Sequence, residues 1–125
     1  MTVQSAAPPN AQPALAGVHH VGLTVPDVEL SERWYGEVLG LVRVMVEPHG
    51  DGGHAVVLQR PGTSFFLGLT HHPACSGDAF DERRTGLDHL SFSTAARSDL
   101  DAWADHLSRL RVTHSGVKSY DEPFP

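Results

Sequence analysis

The stretch GVHHVGLTVPDVELSERWYGEVLGL, residues 17–41, decides the fold. Its first nine residues alternate, with Val21, Leu23 and Val25 on one face of a strand and His20, Gly22 and Thr24 on the other. Pro26 removes an amide donor and ends the strand, and Asp27 carries the short acceptor side chain that caps a helix. Leu30, Trp34, Val38 and Leu41 then recur at three- and four-residue steps, and Gly40 is placed to stop the helix in a left-handed turn. A half-buried strand feeding directly into an amphipathic helix opens an α+β unit.

Three strand-like runs follow, Leu41 to Val46, His54 to Gln59 and Ser64 to Thr70, separated by His49-Gly50-Asp51-Gly52-Gly53 and by Pro61-Gly62. The first unit therefore reads β-α-β-β-β over 17–72. Residues 73–85 form a polar connector, and residues 1–16, rich in Ala, Pro and Gln without an apolar period, read as a flexible leader. At 86 the pattern restarts. GLDHLSFST (86–94) sets Leu90 and Phe92 against His89, Ser91 and Ser93, as in a strand, and Ser98 with Asp101 resembles a capping box. Leu100, Trp103, Ala104, Leu107 and Leu110 make a second helical stripe.

The two segments superpose at one constant offset of 69 residues: Gly17 on Gly86, His20 on His89, Trp34 on Trp103 and Leu41 on Leu110. Both tryptophans of the chain and two strand histidines share that offset, which points to an internal duplication. Two copies packed about a pseudo-two-fold axis would bring equivalent residues together near the axis. His20 and His89 each lie on the polar, small-residue face of their strand, and a pair of neutral imidazoles is a natural start for a divalent-metal site.

Composition narrows the function classes. The chain has 125 residues, enough for one domain, with 40% apolar and 19% charged residues. A formal charge of −6 and a single lysine argue against a nucleic-acid or anionic-membrane partner. Cys75 is the only cysteine, so neither an intrachain disulfide nor a cysteine-based zinc site can form, and an ordinary free thiol is expected. Without a signal sequence or an apolar run of about 20 residues, a cytoplasmic location is expected. No nucleophile elbow, P-loop or dinucleotide-binding glycine pattern is present.

The pattern H-x-x-L-x-V-x-D from His20 to Asp27, followed by WYGEVLGL at 34–41, resembles the opening of a vicinal-oxygen-chelate module of the glyoxalase/bleomycin-resistance/dioxygenase superfamily. GLDHLSF at 86–92 is similar to the start of a second module. The resemblance implies paired βαβββ modules with a curled mixed sheet around a cleft, the second module (86–125) being incomplete. It also implies His20 and His89 as ligands of a divalent ion (Fe, Zn, Ni, Co or Mn). The position that carries a glutamate in glyoxalase-type relatives corresponds to Gly68, which cannot coordinate through a side chain; a two-His-one-carboxylate arrangement is the better match. The remaining carboxylate would lie beyond Pro125, so the sequence reads as a shortened form of a longer protein; Glu122 falls too early to serve.

With Gly68 facing the cleft, alternation sends Phe66, Thr70 and His72 there too as substrate-binding candidates, and Phe65, Leu67 and Leu69 to the core. His19 and Asp88 fall on the opposite face and read as structural; Glu47 is a cleft acid or a strand-end charge. The implied function is a metal-dependent enzyme of lyase, isomerase or dioxygenase type on a small oxygen-bearing substrate, with a homodimer expected. The alternatives are metal-free binding and sequestration of a small molecule, or a degenerate subunit that pairs with a complete homologue.

Overall fold

The computed structural model describes residues 12–120; of the expected leader, residues 1–11 lie outside it, as do Glu122 and the rest of 121–125. The element order is β1 (His20–Thr24), α1 (Val28–Leu39), β2 (Val42–Pro48), β3 (His54–Gln59), β4 (Phe66–His71) and α2 (Arg97–Arg109). The fold is α+β. Its single four-stranded mixed sheet has the order β1-β4-β3-β2, with β1 parallel to β4 and the other pairs antiparallel. The first five elements make one βαβββ unit.

Local chemistry sets the bounds of α1. The Asp27 carboxylate accepts a hydrogen bond from the Leu30 amide at 3.0 Å. At the other end Gly40 takes φ 72° and returns its amide to the carbonyls of Tyr35 and Gly36, the left-handed stop that a Cβ would oppose. The helix presents Val28, Tyr35, Val38 and Leu39 to the sheet, whereas Leu30 and Trp34 are 59% and 43% exposed. The stripe read from the sequence thus shares Val38 and Leu41 with the buried side, but not Leu30 or Trp34. A three-to-four step fits more than one helical phase, and the sheet selects the phase.

The core is small. Val28, Leu41, Val56, Leu58, Leu67 and Leu69 form it, with Val21, Leu23, Val25 and Phe65 packed around them. Leu58, Leu67 and Leu69 are fully buried. A β-bulge between Arg43 and Met45 shifts the β2 register, and all seven residues of β2 are exposed. Arg43 lies on the helix side of the sheet, where its guanidinium donates to both carboxylate oxygens of Glu32 in α1, at 2.6 and 2.9 Å. Those bonds hold the Glu32 carboxyl below the ordinary carboxylate range.

The helices begin 69 residues apart, at Val28 and Arg97, the spacing of the sequence repeat. Two expectations for the second segment are corrected. Residues 86–94 are not a strand; they run without a ladder partner, and an alternating segment with no neighbouring strand has nothing to satisfy its backbone as a sheet. The cap of α2 is Ala96, not Ser98: the Asp99 carboxylate accepts from the Ala96 amide at 3.1 Å and starts the helix earlier. No residue of α2 is fully buried, though Trp103, Ala104, His106 and Leu107 face inward. His106 Nε2 lies 2.8 Å from the Val38 carbonyl, and the Arg60 guanidinium sits 5.6 Å from the Trp103 ring centre, tying α2 to the end of α1. Among the described residues no helix is long and apolar enough to cross a membrane.

Truncating Leu58 to alanine is expected to cost about 2–5 kcal/mol, because it opens a cavity in a fully closed core. Leu30→Ala on the exposed side of α1 should stay within about 0.5 kcal/mol of the parent. Urea unfolding followed by circular dichroism measures both.

Candidate functional site

Strand alternation and register together define the helix-free face of the sheet. His20 pairs with Phe66, Gly22 with Gly68 and Thr24 with Thr70 across β1 and β4, so all six residues point the same way. Antiparallel pairing extends the rows through Ala55 and Val57 of β3 to Glu47 and Met45 of β2. The opposite face holds Val21, Leu23, Leu67 and Leu69 against α1. His20, Phe66 and Thr70 therefore share one face, and Gly68 stands at its centre. A Cβ built on Gly68 would meet nothing nearer than Gly22 Cα and the Val21 carbonyl, both at 3.8 Å, so a larger side chain has room there.

His20 is exposed on the edge strand, with its Nδ1 2.9 Å from His19 Nδ1. One of these nitrogens must donate. If His20 Nδ1 carries the proton, its Nε2 keeps the lone pair a metal needs. The His19 ring lies 5.2 Å from both the His20 and the Phe66 ring centres. That corrects its assignment to the opposite face: His19 precedes the first residue of β1 and is not bound by the strand's alternation. Its neighbourhood is not encoded in any local period.

His89 lies in the extended 86–94 segment, exposed, with Nδ1 2.7 Å from the Asp88 carboxylate. Asp88 is thus the partner of that imidazole rather than a residue of the far face, because the segment is not in a sheet. A carboxylate on one ring nitrogen fixes the tautomer and frees the other to coordinate. Within the single chain, the nitrogen contacts of His20 and of His89 are each to the preceding residue. Phe92, three residues on, packs its ring 5.0 Å from that of Phe65, the residue before β4.

His72 follows β4 directly, and its ring turns to the β2–β3 hairpin. Its Nδ1 is 3.6 Å from Asp51 Oδ2, and its ring centre is 5.9 Å from that of His49. Asp51 also accepts from the Gly53 amide at 2.8 Å. That backbone bond, aided by His72, holds the Asp51 carboxyl below its ordinary range. Gly53 has to be glycine, since a Cβ there would clash with the His71 carbonyl oxygen. Glu47 is exposed on the face shared with His20, and Cys75 is an exposed free thiol.

Among the described residues, no group of three or more His, Cys, Asp or Glu side chains is arranged to hold a metal ion. A groove of about 730 Å3 runs between α2 and the start of β4, lined in part by Leu41, Arg60, Phe65, Phe92 and Trp103. None of His20, Phe66, Thr70, His72 or His89 lines it.

Residues 17–117 match the family model described as Glyoxalase/Bleomycin resistance protein/Dioxygenase superfamily. Among solved structures, a glyoxylase/bleomycin resistance protein/dioxygenase domain from Frankia sp. EAN1pec is 35% identical at a TM-score of 0.76, over 86% of this chain and 84% of that one. The E126Q mutant of the fosfomycin resistance protein FosX from Listeria monocytogenes, complexed with Mn(II) and 1S,2S-dihydroxypropylphosphonic acid, is 14% identical at a TM-score of 0.60, over 86% and 79% of the two chains. An integron cassette protein from the Halifax Harbour sewage outfall metagenome is 18% identical at 0.56, over 77% and 72%. The latter two are likenesses of fold. None of the curated proteins matches the chain.

The lowered Asp51 carboxyl gives a pH signature. Its folded-state value is depressed, so its stabilising effect is present above the ordinary carboxylate pKa of about 3.9 and is lost as pH falls through the lowered value. Asp51→Asn should lower the urea midpoint at pH 6 to 7, and the two proteins should converge in strong acid.

Proposed function

Because the chain belongs to the glyoxalase/bleomycin resistance protein/dioxygenase superfamily, we propose that it acts in the cytoplasm on a small oxygen-bearing molecule held against the helix-free sheet face, with His20 and His89 as its ligands to a divalent metal ion. The observation that carries this reading is the register of β1 on β4, which sets His20, Phe66 and Thr70 around the side-chain-free centre at Gly22 and Gly68. A small substrate needs such a floor: apolar contact from Phe66, a hydroxyl from Thr70 and space between them. His72, its Nδ1 turned to Asp51 just past the end of β4, is the third substrate-contact residue of this reading.

The donor chemistry fits a metal in part. Two imidazoles with defined neighbours, His19 and Asp88, are suitable first ligands, while a third protein ligand is missing among the described residues. When bound, the ion would supply Lewis acidity toward adjacent substrate oxygens. What the chain's own residues do is bind and orient the substrate, Phe66 and Thr70 from β4 and the imidazoles from the two halves. Lyase, isomerase and dioxygenase chemistry are the reaction types this reading covers.

Metal-free sequestration is favoured by one observation. Gly68 occupies the place where a carboxylate would complete a site, and its surroundings leave the space open. The partner in either case is a second copy of this chain, since β2 is an edge strand with Val42, Val44, Met45 and Val46 all 46–51% exposed.

Calorimetric titration with Mn(II), Fe(II), Co(II), Ni(II) and Zn(II) in turn tests the ligands. One binding event should weaken at least tenfold in the His20→Ala/His89→Ala double variant and strengthen at least tenfold in Gly68→Glu. Undiminished binding in the double variant removes these ligands. Unchanged thermal stability on chelation, with stabilisation by a small oxygen-bearing ligand, selects sequestration. Sedimentation velocity at micromolar concentration should show a dimer that Val44→Lys dissociates.

A further inference from the structure

His54 opens β3 and His71 closes β4, and the antiparallel ladder sets them directly opposite one another. Both are half-buried. Their ring centres lie 5.7 Å apart with the planes inclined at 46°. Each follows the parity of the core residues, His54 with Val56 and Leu58, His71 with Leu69 and Leu67. They therefore stand on the helix side of the sheet, across it from His20 and Gly68. They take no part in the site proposed above.

Three features make this pair more than two neighbouring side chains. The spacing is right: imidazole nitrogens sit about 2.0–2.1 Å from a bound zinc, which places two rings on one ion roughly 5–6 Å apart at tetrahedral angles. The nitrogens are available: neither the His54 nor the His71 ring takes a hydrogen bond or ion pair within the described residues, whereas His19, His20, His72 and His89 are all engaged through Nδ1. The spacing is also held by the backbone. The ladder fixes the register, and the turn before His54 lies against the end of β4, with Gly53 packed too closely on the His71 carbonyl to admit a Cβ. The entropy of bringing two ligands together is therefore already spent in folding the hairpin.

We propose that His54 and His71 form a cross-strand two-imidazole clip for a borderline divalent cation, Zn(II), Ni(II) or Cu(II), with water completing the coordination. Imidazole donors without a carboxylate select these ions over Mg(II), Ca(II) and Mn(II). The bound ion joins β3 to β4 at their open end and stabilises the folded chain over the unfolded one. His49 and His72 are as close, with ring centres 5.9 Å apart, but His72 is engaged by Asp51 and His49 lies in the turn outside the ladder.

The test is Zn(II) and Cu(II) titration of the full chain by calorimetry, with the imidazole proton resonances followed by NMR. The clip predicts one site whose affinity falls at least tenfold in His54→Gln and equally in His71→Gln. That site should survive in His20→Ala/His89→Ala and in His49→Gln/His72→Gln, and Cu(II) should broaden the His54 and His71 resonances first. In the His20→Ala/His89→Ala background zinc should raise the thermal midpoint, and it should no longer do so once His54→Gln or His71→Gln is added, each variant first shown by circular dichroism to be folded. Undiminished affinity in both single variants, or loss of the site in His49→Gln/His72→Gln instead, overturns the proposal. Loss of binding only in His20→Ala/His89→Ala would overturn the clip while sparing the sheet-face ligands, so the two proposals fail separately.

Discussion

Parallel pairing of β1 with β4 is the constraint on which the rest of the structure depends. Among the described residues β1 has no other neighbour in the sheet, and that ladder brings residue 20 beside residue 66 and residue 24 beside residue 70. Because side chains alternate with a period of two, a one-residue slip would carry His20 into the core and Val21 to the open face. Leu67 and Leu69, fully buried beneath α1, make such a slip costly. Burial on one side of the sheet thus dictates what is displayed on the other.

The two faces divide the labour. The helix side carries nearly all of the buried apolar surface, with Val56, Leu58, Leu67 and Leu69 at its centre and the Glu32–Arg43 pair at its border. The other side carries His20, Thr24, Phe66, Thr70, Ala55 and Glu47 with Val57 and Met45 at its far strands, and holds few of the fully buried residues. It is therefore free to carry chemistry. Gly22 and Gly68, paired at its middle, weaken the strands they sit in but leave a floor without side chains, a compromise expected where another molecule lies against a sheet.

The second half of the chain is held more loosely than the first. Its helix starts at the spacing the repeat demands, yet it touches the rest mainly through His106, Trp103 and the Phe65–Phe92 stack. The extended 86–94 segment carries His89 with no sheet to orient it, so Asp88 is the group that positions the ring. A duplicated sequence does not by itself give two equivalent environments: Trp34 lies on an exposed helix side and Trp103 against Arg60.

What the sequence determined by itself is local and periodic. The strand–helix opening, the Asp27 and Gly40 caps, the βαβββ order, the inward Leu67 and Leu69 and the outward Phe66 and Thr70 all follow from spacing within a few residues. Only the tertiary structure decided which strand pairs with which, which of several helical phases of α1 is buried, that 86–94 stays out of the ladder, and that His19 and Asp88 lie against the two candidate imidazoles. The first three turn on contact between segments far apart in the chain or on burial by a neighbouring element; the last, between adjacent residues, turns on His19 and Asp88 lying outside any strand ladder, and a local period carries no record of these.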